Sequence, residues 1–348
     1  MEAAKPIGLL AEGVEAWNQW RGQTGGDTQS DRLTGTRINL REAQLRQAEL
    51  QKINLSLADC CMADLRHADL SYADLHESLF YTANLSHAHL EAANLTGADL
   101  REVALHDACL RGTVLNAAVL TTADLSRSVL REAQLRQADL RQASLNYADA
   151  CMANFTEANL AWADLSGAIL YTADLRGANL SSATLNQADL REANFTMATL
   201  QDAMLHAANL GAAICSVANL IGAALHSANL TIANLSLANL CMANLSHACL
   251  EGAILIGANV IGANLHRACL VNANLENTDL REAILYKADL RGANLRFANL
   301  RMANLSAANL EGADLYGTDL THANLWNTNL SDTCLIDAVM PDGTLFCD

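Results

Sequence analysis

Histidine and cysteine are the residues whose spacing in this chain first suggests chemistry. His206, His226 and His266 recur at multiples of twenty residues with Ser246 in the remaining step, and His67 and His87 form a second pair twenty apart. His247, Cys249 and Cys269 lie close by in sequence. Imidazole and thiolate together suit zinc or another soft metal. The spacing resembles no established zinc motif, so these side chains are read as solvent-facing, with no metal or cofactor expected. The chain also lacks a dinucleotide fingerprint, a phosphate-binding loop, a nucleophile elbow and an HExxH helix. No enzyme is expected. What remains is recognition by surface, and the elements that would carry such a surface are written in the repeat.

From Leu40 to Leu335 nearly every fifth residue is Leu, giving sixty consecutive five-residue repeats. The exceptions are Cys60, Phe80, Ala150, Phe155, Phe195, Cys215 and Val260. With the Leu position called i, Ala occupies most i−2 positions and Asp or Asn most i−1 positions, as in Ala73-Asp74-Leu75 and Ala298-Asn299-Leu300. A period of five fits neither a helix nor a long strand, but fits a short extended segment that turns a corner and repeats. Two residues apart on an extended segment, i−2 and i point the same way and i−1 the other. Ala and Leu therefore face an interior, while i−1, i+1 and i+2 face water. The glycines at i+2, such as Gly97, Gly167, Gly257 and Gly317, fit a type II turn with positive φ at its third residue. Both prolines, Pro6 and Pro341, fall outside the repeats.

The A(D/N)LXX pattern resembles that of the pentapeptide-repeat proteins, over about 300 of the 348 residues. The elements Trp17–Arg21 and Met340–Gly343 are similar to those of cyanobacterial members. The resemblance implies an all-β fold, a right-handed quadrilateral β-helix with four repeats per coil and thus about 15 coils. Residues twenty apart then stack, His67 on His87 and Cys249 on Cys269, the latter pair close enough for a disulfide. The family also contains DNA mimics that modulate DNA gyrase. This alternative function fits poorly here, because duplex DNA carries about one charge per 1.7 Å and the chain has a net charge of only −16.

Solenoid ends need covering. Residues 1–36 are expected to hold an amphipathic capping helix over 7–21, with Ile7, Leu10, Val14 and Trp17 on its apolar stripe, followed by a linker. Residues 37–335 form the β-helix and 336–348 a C-terminal cap with Leu345 and Phe346 as apolar plugs. Hydrophobic residues make up 51% of the chain but aromatics only 4%, so the core must be built from small and medium side chains. No stretch approaches the roughly 18 unbroken apolar residues of a membrane helix, and no membrane insertion is expected. The acidic balance argues against direct nucleic-acid binding. Ten cysteines scattered without framework spacing point to reduced thiols and a cytoplasmic location.

One band stands out. From Ala203 to Leu250 there is no Asp, Glu, Lys or Arg. Within and beside it, Ile221, Cys241 and Ile261 fall at i+1, and Val217, Leu237 and Met242 at i+2, all outward by register. Ile232 and Ile256 are outward as well. This apolar strip is the candidate interface for a protein partner or for self-association, on the flat faces or ends of a β-helical rod used as a non-catalytic scaffold or adaptor.

Overall fold

A computed structural model describes residues 4–23 and 37–346. The chain divides into two compact units, Met1–Ile169 and Leu170–Asp348. In both, the repeat builds a β-helix solenoid. Within each unit, i−1 residues make parallel bridges to the residue twenty further on, for example Asn39 to Asp59 in the first and Asn239 to Asn259 in the second.

The backbone bonds explain why the repeat is five residues long. Leu40 N donates to Asp59 O at 2.7 Å, and Asp59 N donates back to Ile38 O at 2.8 Å. Around the corner Glu42 N donates to Cys61 O at 3.0 Å, while Ala43 N closes the turn on Leu40 O at 3.1 Å. Each repeat thus spends its amides on the adjacent coil and on one tight turn. A prolyl ring at any donating position would delete one of these bonds, which accounts for the confinement of proline to the flanks.

The turns have positive φ at i+2 and not at i+1, the mark of type II. Positive φ alone does not explain the glycines, however. Most i+2 positions hold other residues in the same left-handed conformation, among them Leu57 at φ 58° and Leu237 at φ 57°. Glycine is therefore not required for the turn itself. At Gly257 an added Cβ would lie 2.9 Å from Leu237 Cδ2, and at Gly262 it would lie 2.6 Å from Met242 Sδ. These glycines make room for a large side chain leaning over from the preceding coil.

The Asp and Asn at i−1 also do more than face water. Their Oδ1 accepts the amide two residues on, as in Asn229 from Thr231 N at 3.0 Å and Asp69 from Ser71 N at 2.9 Å. This Asx-type bond braces each corner and occupies an amide that the ladder leaves over. Inside, Ala and Leu of the inner turns are buried, with Phe80, Phe155 and Phe195 filling three Leu positions. Polar substitutes at i−2 are satisfied locally: Thr113 Oγ1 donates to Leu90 O at 2.7 Å and Thr278 Oγ1 to Leu255 O at 2.8 Å.

The N-terminal segment forms two helices, not the single helix expected over 7–21. α1 spans Ala4–Glu12 and α2 spans Val14–Gln23, broken at Gly13, whose φ of 104° lies outside any helix. Trp17 is fully buried, Leu10 and Val14 are half-buried, and the side chain of Ile7 lies outside the described residues. The linker expected from Gly22 to about Thr36 starts too early, since Gly22 and Gln23 belong to α2, and its remainder from residue 24 lies outside the described residues. α2 meets the exposed edge of the first coil with side chains that replace a neighbouring strand. Trp17 Nε1 donates to Asn54 O at 2.7 Å, and Asn18 Oδ1 accepts from Asn54 N at 2.8 Å. Asn18 Nδ2 also donates to Lys52 O, and Arg21 Nη2 to Ser56 O at 2.7 Å. The Asn18 amide thus acts as one peptide unit of a missing coil.

At the other end Met340–Thr344 turns the chain back so that Leu345 pairs antiparallel with Val339. The expectation of two apolar plugs fails for Leu345. It is 56% exposed, because the antiparallel pairing points it away from the interior.

Two tests follow from this packing. Leu240 is inward and fully buried whereas Leu237, three residues earlier, is exposed. Leu240→Ala is expected to cost about 2–5 kcal/mol and Leu237→Ala no more than about 0.5 kcal/mol, read as shifts in urea midpoint. Equal shifts would contradict the register. Asn18→Ala is expected to speed hydrogen exchange at the Asn54 amide by about tenfold or more. Unchanged protection there would show that α2 does not cap the edge.

Candidate interaction surface

The candidate residues lie on one side of the second unit's solenoid. Running outward along successive turns are Val217-Ala218-Asn219-Leu220-Ile221 and, twenty residues later, Leu237-Ala238-Asn239-Leu240-Cys241. Ala and Leu turn inward, so each row presents an apolar residue, an Asn and a second apolar residue. Val217, Leu237 and Met242 are 50–67% exposed. Ile221, Cys241 and Ile261 are only half-buried rather than free, since i+1 side chains lie back against the corner. The next row begins with Gly257, which gives Leu237 the space to lie flat.

The structure adds Met197. It stands twenty residues before Val217 in the same corner position and is 69% exposed, so Met197, Val217 and Leu237 make a continuous apolar row. Met197 lies before the uncharged band, one twenty-residue step ahead of Val217. Ile232, in the band but on another corner, is 62% exposed.

Between the apolar columns runs a ladder of amides. Asn219, Asn239 and Asn259 are bridged in sequence, each holding its own corner amide, and Asn259 Nδ2 donates to Asn239 Oδ1 at 3.1 Å. With their carbonyl oxygens bound inward and their rows fixed by the backbone, these amides form a rigid polar seam. The patch ends against charge: Asp202 lies on one side, and on the other Arg281 grips Asp279, Nη2 to Oδ2 at 2.7 Å. An apolar centre with a polar rim is the anatomy of a protein contact.

The histidine column expected from the spacing is present. His206 and His226 stack at 5.3 Å, His247 meets both His226 and His266 edge-on at 5.4 Å, and His266 stacks on Tyr286. Ser246 Oγ lies 2.8 Å from His226 Nδ1. Cys249 and Cys269 are bridge partners and both are free thiols. Burial raises the Cys269 thiol above its ordinary value, which disfavours the reactive thiolate. Cys60 and Cys215 are buried core residues, and burial pushes the Cys215 thiol up to about 12.

Elsewhere the solenoid surface is charged, and many of its arginines are paired with a neighbouring carboxylate. An Arg at i+1 folds back on the Asp at i−1 two residues earlier, as in Arg66–Asp64, Arg101–Asp99, Arg141–Asp139, Arg191–Asp189 and Arg291–Asp289, all with Nη2–Oδ2 of 2.5–2.7 Å. A second Nε–Oδ1 bond makes each pair bidentate. These guanidinium groups hold the carboxyls of Asp64, Asp99, Asp139, Asp189 and Asp289 below the usual range, Asp64 at about 2.

Comparison with known proteins places this geometry. The family model described as pentapeptide repeats (8 copies) matches residues 38–80, 62–97, 79–116, 108–146, 133–170, 173–211, 218–257, 258–296 and 298–337. Among solved structures, the chain is similar to HetL, a pentapeptide repeat protein involved in heterocyst differentiation regulation from the cyanobacterium Nostoc sp. strain PCC 7120. The two are 36% identical over 64% of this chain and 91% of HetL, with a TM-score of 0.37. It is also similar to the pentapeptide repeat protein Rfr23 from the cyanobacterium Cyanothece 51142, with 34% identity over 33% of this chain and 86% of that one and a TM-score of 0.16. QnrB1, a plasmid-mediated fluoroquinolone resistance protein, is 18% identical over 53% of this chain and 86% of its own, with a TM-score of 0.27. Comparison with curated proteins gives no match.

The paired carboxylates set a pH dependence. A folded-state value below the unfolded one stabilises the protein above about pH 4, and the contribution disappears as pH falls toward the folded value. The urea midpoint is expected to hold, or rise slightly, down to about the pI of 4.9 as net repulsion fades. It should then fall between about pH 4 and pH 2. Because the pairs are exposed, each share is small. A midpoint that climbs steadily through that window would contradict the assignment.

Proposed function

The chain belongs to the pentapeptide-repeat proteins, and on that premise we propose that it acts without catalysis, as a scaffold or adaptor that docks a protein partner on one flat side of the second unit. The row Met197, Val217 and Leu237 carries the reading: three large apolar side chains, mostly exposed, in consecutive turns, beside a stretch free of charge. Single exposed apolar residues are ordinary on any surface, but a fixed row is not. The backbone ladder holds these residues in place before a partner arrives, so little conformational entropy is lost on docking.

Further parts of the reading rest on the repeat. Bridges at a step of twenty and a corner every five residues support a four-sided coil, right-handed as in the family, with about 15 coils over the sixty repeats. The divisions at residues 36 and 335 follow the first and last repeats. Among the described residues no helix is long and apolar enough to cross a membrane. The nine described cysteines are free thiols, in keeping with a reducing, cytoplasmic setting. A DNA-mimic role draws less support, since Arg pairing interrupts the acidic surface and the band at 203–250 carries no acid.

The combined variant Ile221→Lys, Leu237→Lys and Ile261→Lys is expected to weaken the partner complex at least about tenfold to a hundredfold while leaving circular dichroism unchanged. Affinity purification followed by titration against the captured protein measures this, and size-exclusion chromatography covers the self-association outcome. Partners and oligomeric state both unaffected by the triple change would remove this face from function.

A further inference from the structure

A different corner, in the unit Met1–Ile169, brings together ligands that the stacked pair His67 and His87 only began to suggest. His67, His87, Asp107 and Arg127 occupy the same i+2 position in successive turns, and His106 sits beside Asp107 at i+1. The rings of His67 and His87 stack at 4.8 Å with 5° between their planes, and the His106 ring meets His87 edge-on at 5.6 Å. One ligand atom from each of His87, His106 and Asp107 lies within 4.8 Å of the other two. Ligand atoms around a tetrahedral zinc ion stand about 3.3 Å apart. His87 is exposed and the other two are half-exposed, so side-chain rotation can supply the difference of roughly an ångström or so.

Two neighbours shape the cluster. His106 Nδ1 lies 3.4 Å from Asp124 Oδ2, close enough for that carboxylate to stand behind the ring if its Nε2 takes the ion. Asp107 is held by Arg127, Nε to Oδ1 at 2.9 Å and Nη2 to Oδ2 at 2.8 Å. An ion must displace that guanidinium, so the pair lowers affinity while keeping the carboxylate at the corner.

We propose that His87, His106 and Asp107 form a surface site for a divalent first-row transition-metal ion, two imidazoles and one carboxylate with the fourth position open to water. This donor set suits Zn²⁺, Ni²⁺ or Cu²⁺ rather than Mg²⁺ or Ca²⁺, which take oxygen ligands. The site is built only from residues of the unit Met1–Ile169, and its test does not depend on the docking reading.

Isothermal titration of the full chain, stripped with chelator, against ZnCl₂ is the test. His106→Ala and Asp107→Asn are each expected to weaken the tightest binding event at least tenfold; Asn is chosen because it tolerates the left-handed backbone at residue 107. Arg127→Gln, which releases Asp107, is expected to tighten it severalfold. His226→Ala, in the histidine group of the unit Leu170–Asp348, should leave it unchanged, and circular dichroism verifies folding throughout. The proposal is overturned by binding that survives both His87→Ala and His106→Ala, by binding that disappears with His226→Ala, by an Arg127→Gln variant no tighter than the parent, or by no detectable binding at millimolar Zn²⁺.

Discussion

The parallel backbone ladder at a step of twenty residues is the constraint on which every other feature depends. Each corner places one residue at positive φ, and outside glycine this costs about 1 kcal/mol. The amide of that residue is returned a bond to the next coil, as Glu42 N finds Cys61 O, worth net about 0.5–1.5 kcal/mol. The two nearly cancel, so the corners add little stability of their own. Burial decides the balance: a Leu side chain taken fully out of water contributes about 1.5–3 kcal/mol, and one arrives every five residues. The ladder sets the geometry and leucine supplies the stabilisation, which is why the Leu position tolerates only other apolar residues while the corner accepts almost anything.

A ladder has ends, and the two are treated differently. At the start, α2 imitates a coil with side chains: an indole N–H, a carboxamide and a guanidinium meet the three kinds of edge group that a preceding turn would have met, all in one repeat. At the far end the chain folds back on itself through Met340–Thr344. That hairpin covers part of the last turn, and Leu325, Leu330 and Leu335 are half-buried where leucines of inner turns are completely enclosed.

The repeat was legible because its period is imposed by covalent spacing: inward Ala and Leu, outward i−1, i+1 and i+2, and the twenty-residue step can all be read from the chain. Three things were not. The bond from Asn or Asp at i−1 to the corner amide was hidden because a residue preferred for bracing a turn and one preferred for solvent have the same chemistry. The purpose of Gly257 and Gly262 was hidden because it depends on the residue twenty before, Leu237 and Met242. The break at Gly13 was hidden because the apolar stripe of residues 7–21 continues across it, and periodicity registers no φ. On the surface, spacing brought out Val217 and Leu237 but not Met197, and paired His67 with His87 without bringing in His106 and Asp107. Those additions depend on how side chains lean at a corner, which the repeat does not encode.

That same division explains how the fold accommodates function. Four of the five positions in a repeat are committed to the backbone in some way: i−2 and i fill the core, i−1 braces the corner, and i+2 adopts the left-handed turn. Only side-chain identity at i+1 and i+2, and the remaining reach of i−1, can vary without structural cost. Any extended surface must therefore be assembled down columns, with at most a few residues drawn from each coil. While the Arg–Asp pairs neutralise each other within single repeats on several corners, the chain shows two such columns with different chemistry, one running His67, His87 and Asp107 and the other the apolar row that begins at Met197. Their separation follows from the geometry, since a column can change character only in steps of twenty residues, so neighbouring columns diverge independently while sharing one backbone.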